Sequence, residues 1–133
     1  MKSRFIVPIY DFAVTVVQVP VSKINAVRAG MNDLLGEPDS HISYANAAFC
    51  LSERECVLFF TNEAACDVGA VGHEIVHLVA AIMRSSGVAY SFKSEEAFAY
   101  LHGWLERRIW TILHKFSERK TPKKVTARRK AKS

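Results

Sequence analysis

The chain predicts an α+β fold: a small sheet of about three strands packed against an N-terminal helix, a mid-chain helix and a long C-terminal helix. Three observations predict it. Short apolar runs with period-two alternation occupy much of the first half, two proline-free stretches with helical spacing occupy the second, and this order of strands then helices favours segregated layers. At 133 residues, half of them apolar, the chain has the length of one domain and can bury a core unaided.

Each element has its own signal. Residues 1–11 begin with a basic residue and an apolar run, but Pro8 and Asp11 interrupt it; the segment reads as structure rather than as a secretion signal. Residues 10–19 alternate, with Phe12, Val14 and Val16 opposite Asp11, Ala13 and Thr15, and Pro20 ends the strand. Residues 22–35 carry Ile24, Val27, Met31 and Leu34 at helical spacing, with Gly36 and Pro38 as stops. The polar stretch 39–46 is a loop. Residues 47–51 and 55–61 then form two strands around Ser52, Glu53 and Arg54. The second of these is the expected wall of any cleft beside the next helix.

That helix covers residues 67–86 and stops at Gly87; after a loop near residues 90–93, the last helix runs from Ser94, a candidate N-cap, to about Ser117. Ala97, Leu101, Trp104, Leu105, Ile109, Ile112, Leu113 and Phe116 give it an apolar stripe, and Trp104 and Trp110 are read as packing residues. The domain therefore spans residues 1–118. Residues 119–133 form a basic tail with almost no apolar content, which predicts disorder.

Charge and cysteine bound the partners. Residues 115–133 hold nine Lys or Arg against Glu118, a net +8, so the rest of the chain sums to −3 of the overall +5. Such a tail can attract nucleic acid without sequence specificity through counterion release. No aromatic residue interleaves with the tail's basic residues, so base stacking is not expected there. No run of 18 apolar residues exists, and no membrane contact is expected. Cys50, Cys56 and Cys66 are odd in number and contain no C-x-x-C pair, which reads as reduced, buried thiols in a cytoplasmic protein.

One motif names a chemistry. His73, Glu74 and His77 stand in His-Glu-x-x-His within the mid-chain helix. Residues four apart on a helix lie above one another, so both imidazoles can bind one Zn²⁺ with Glu74 beside them as general base. A shuffle of this composition yields the pattern about once in a hundred times, so the surrounding helix has to support it. It does: Gly69, His73, His77, Ala80 and Arg84 share one face, and Ile75, Val79 and Ile82 the opposite one.

A catalytic zinc takes three protein ligands and keeps a position open. Glu96, with 18 residues between it and His77, is the expected third ligand; small Ala99 and Gly103 on its face would let the helices approach. Glu95 is the alternative. Tyr100, one turn after Glu96, is a weaker candidate for stabilising a tetrahedral oxyanion, and Asp67 for orienting a ligand imidazole. His41 and His102 receive no role.

His-Glu-x-x-His followed after 18 residues by Glu96-Ala97-Phe98-Ala99 resembles the gluzincin metallopeptidases, whose third ligand is a glutamate on the next helix. The runs Phe5-Ile6-Val7-Pro8-Ile9-Tyr10 and Glu96 through Trp104 are also similar to small zincin-like proteins encoded by bacteriophages and prophages. The likeness covers roughly residues 4–113. There is no metzincin continuation after His77. The resemblance implies a minimal zincin-like domain with a zinc cofactor and a peptide or protein substrate. It also implies a location in the host cytoplasm or association with a virion. The alternative expectation is a non-catalytic zinc-binding module in phage particle assembly or partner binding.

Overall fold

The computed structural model describes residues 1–23 and 46–120. Four strands form one sheet: β1 (Lys2–Val7), β2 (Phe12–Val19), β3 (Asn46–Ser52) and β4 (Glu55–Thr61). Two helices follow, α1 (Val68–Ser85) and α2 (Glu95–Lys120). The class is α+β as expected, but the sheet has four strands, not three. The added strand is β1, whose Phe5 and Val7 point inward while Lys2, Arg4 and Ile6 point out. Pro8 then ends it, because proline has no N–H to donate to a ladder. Of the expected N-terminal helix at residues 22–35 only Ser22 and Lys23 are described, in a short 3-10 turn, Val21–Lys23; its remainder, the loop at 39–46 (apart from Asn46, which opens β3) and the tail beyond Lys120 lie outside the described residues.

Sheet order is β1-β2-β4-β3. β1 and β2 are antiparallel, β3 and β4 are antiparallel, and β2 and β4 run parallel with Ala13 opposite Glu55 and Val19 opposite Thr61. A parallel pair needs a long crossover, and the 35 residues between Val19 and Glu55 supply it. β4 is thus paired on both sides, and β3 holds an edge.

Alternation puts Phe12, Val14 and Val16 of β2 and Cys56, Leu58 and Phe60 of β4 on the face that meets both helices. From α1 come Val71, Ile75, Leu78 and Ile82, and from α2 Leu101, Leu105, Ile109, Ile112 and Phe116. Each such side chain contributes about 1.5–3 kcal/mol by leaving water. Val57 and Phe59 of β4 are also buried, on the opposite face of the sheet.

Polar contacts tie the ends together. The amino group of Met1 donates to the Gln18 carbonyl at 2.8 Å, and Gln18 Nε2 donates to Asn62 Oδ1 at 3.1 Å. The Lys120 ammonium donates to the same Asn62 oxygen, anchoring the last turn of α2 at the end of β4.

The cysteines differ from the expectation. Cys50 and Cys56 are direct partners across β3 and β4 and are joined as a disulfide, while Cys66 is free and exposed. A sequence separation of six hid this pairing, because it depends on the β3–β4 register. No described helix is long and apolar enough to cross a membrane.

Candidate metal centre

Helix α1 is built to present its histidines. Asp67 caps its start: the carboxylate accepts from the N–H of Gly69 at 2.8 Å and of Ala70 at 3.2 Å. Asp67 therefore does not orient a ligand imidazole, as its position before His73 had suggested. The helix ends at Gly87, whose φ of 73° is the left-handed conformation that closes a C-terminus, with Val88 N donating to the Met83 carbonyl at 2.9 Å. Asp67→Ala is expected to cost about 1 kcal/mol in urea unfolding with zinc affinity unchanged. A tenfold or greater loss of zinc affinity would instead assign Asp67 to the imidazoles.

His73 and His77 are exposed on the outer face of α1, with Ile75, Leu78 and Ile82 fully buried behind them. Their Nε2 atoms are 3.2 Å apart and their rings meet edge to face at 4.9 Å. Zn–N bonds of about 2.0–2.1 Å at a tetrahedral angle place two nitrogens about 3.3–3.4 Å apart. The separation of the two nitrogens is thus close to the one a shared divalent cation requires. Without a cation, the same separation suits an Nε2–H···Nε2 hydrogen bond.

Glu74, the residue after His73 on the same helix, is only 5% exposed. Asn46, the first residue of β3, donates Nδ2 to its Oε1 at 2.6 Å. A buried carboxylate is costly unless it is hydrogen-bonded, and a bond to an ionised group offsets about 1.5–3 kcal/mol of that cost. This contact fixes the carboxylate between α1 and the edge strand. Sequence reading missed Asn46, placing it at the end of a polar loop. No local signal identifies it, since its partner is 28 residues away. The strand beside α1 is likewise β3 rather than the nominated segment 55–61, because β4 is sealed between two neighbours.

The carboxylates of α2 are placed differently. Glu95 and Glu96 are both exposed at its first turn. Ser94 does not cap that turn with its hydroxyl, which instead accepts from Ser91 N–H at 2.9 Å and donates to the Ala89 carbonyl at 2.7 Å. Glu95 lines a groove of about 520 Å³ between the helices, with Val76, Val79 and Ala80 of α1 and Phe98, Ala99 and His102 of α2. Glu96 precedes both Ala99, which lines that groove, and Tyr100, which lines another beside Pro8, Ile9 and Tyr10. Tyr100 is 76% exposed. Among the described residues, no group of three or more His, Cys, Asp or Glu side chains converges tightly enough to hold a metal. The two imidazoles are brought together; the third donor is not brought to them.

No family model, curated protein or solved structure matches this chain.

Proposed function

We propose that the protein is a zinc-dependent metallopeptidase that hydrolyses a peptide bond. The observation that carries the reading is the His73–His77 nitrogen pair at metal-ligand spacing on the helix that also carries a buried, hydrogen-bonded Glu74. His73 and His77 would hold the ion, and Glu96, with Glu95 as the alternative, would complete the set once the exposed first turn of α2 is brought to them. When bound, zinc would lower the pKa of a water from its bulk value to near neutrality and polarise the scissile carbonyl. Glu74 accepts the proton from the attacking water and returns it to the leaving amine as the C–N bond breaks. Asn46 holds the carboxylate in place for both transfers. The exposed edge of β3 among the described strands suits an extended substrate, which would add as a further strand through backbone hydrogen bonds.

The exposed positions of Glu95 and Glu96 favour one second reading, a zinc-binding module without catalysis that serves phage particle assembly or partner binding. Retention of a buried acid beside the histidines argues for the first, since a structural site fills all four positions with protein ligands and has no use for a base.

Zinc-loaded protein is expected to release fluorescent peptides from labelled casein, to lose that activity on treatment with EDTA and to regain it with added Zn²⁺. Bound zinc with no cleavage would favour the non-catalytic module.

A further inference from the structure

The flank of α2 away from α1 carries two adjoining grooves that the proposed chemistry does not use. One, of about 410 Å³, is lined by Ile6, Trp104, Arg107, Arg108 and Thr111. The other shares Trp104 and Arg107 with it and extends to Tyr100 and the turn between β1 and β2. No residue of α1 and no carboxylate lines either groove.

We propose that this face binds single-stranded nucleic acid. Its charge is available: neither Arg107 nor Arg108 is ion-paired among the described residues. Arg108 lies over the Phe5 ring at 5.4 Å, a contact that steadies the guanidinium while leaving its N–H groups exposed. The same helix continues through Lys115 and Arg119, and residues 121–133 add six Lys or Arg and no Asp or Glu. From Tyr100 to Lys120 the helix runs about 30 Å, so a polyanion laid along it meets Arg107, Arg108, Lys115 and Arg119, with Glu118, beside His114, the one carboxylate on that side.

Aromatic surface distinguishes this face from a merely basic one. Tyr100 is 76% exposed, and half-buried Trp104 is braced from behind by Phe5 at a ring separation of 5.9 Å. Phosphates paired to guanidinium groups, with bases stacked on nearby rings, is how sequence-tolerant single-strand sites work. A duplex keeps its base faces covered and would use the charge alone. The basic tail by itself lacks the stacking surface; the folded helix supplies it one turn from the arginines.

The test is fluorescence anisotropy of a fluorescein-labelled 20-nucleotide oligo(dT) titrated with the full-length protein over a range of NaCl concentrations. Affinity is expected to fall linearly with salt on logarithmic axes. The duplex of the same length should bind at least tenfold more weakly. Arg107→Glu/Arg108→Glu should weaken oligo(dT) binding at least tenfold, and Tyr100→Ala, a surface change that leaves the core intact, about fivefold or more. EDTA should change none of these values. Circular dichroism of both variants checks that they fold. Binding undiminished in the arginine variant would place all affinity in the tail and overturn the proposal. Equal affinity for duplex and single strand, or no measurable binding at low salt, would overturn it as well.

Discussion

Glu74→Gln is expected to lower hydrolysis of labelled casein by about 10²–10⁴-fold, the usual contribution of a positioned general base, while zinc content and folding stay intact. The substitution keeps shape and an acceptor oxygen, so the 2.6 Å contact from Asn46 can persist. It removes only the ability to take a proton. Because Glu74 is 5% exposed and does not join the imidazoles as a ligand group, its loss should not release the metal. Matched assays of rate, zinc by elemental analysis and circular dichroism separate the possibilities. Full residual activity would remove Glu74 as the base, and loss of zinc would recast it as part of the binding site.

The largest expected effect on stability is at Phe60. It is fully buried in the strand that is paired on both sides, and its ring belongs to the cluster that joins the sheet to both helices. Phe60→Ala deletes most of that side chain where neighbours on three elements cannot all collapse into the space. The expected cost is about 3–5 kcal/mol, read as a lowered urea midpoint with little change in slope. Val76, 57% exposed on α1, is the control, and its replacement by Ala should stay within about 0.5 kcal/mol. Similar losses at the two positions would contradict the assignment of the core.

Much of this architecture is legible in the residues themselves, for identifiable reasons. Asp67 and Gly87 punctuate α1 because a short carboxylate caps free N–H groups and glycine accepts positive φ. Of the expected stripe on α2, Leu101, Leu105, Ile109, Ile112, Leu113 and Phe116 are buried as their spacing requires, while Trp104 is half-buried and Ala97, in the first turn, is exposed. What escaped was non-local. The β1 strand was obscured because Pro8 cuts short an apolar run that already looked like a leader. The Cys50–Cys56 link needs the cross-strand register, and the edge position of β3 needs the strand order. At the site, helical spacing was enough to bring His73 and His77 together, since both lie on one rigid element. Asn46 and the helix α2 carboxylates belong to other elements, and their approach depends on how those elements dock. Spacing along the chain selected Glu96; the helix surface puts Glu95, not Glu96, among the residues that line the interhelical groove.

The proposed function stands or falls on whether His73 and His77 together hold a divalent cation. Zinc titration of the full-length protein, followed by isothermal calorimetry and checked by elemental analysis, tests it most directly. About one zinc per chain is expected, with binding abolished in both His73→Ala and His77→Ala and folding retained in each. Equal zinc binding by the parent and both variants would contradict it.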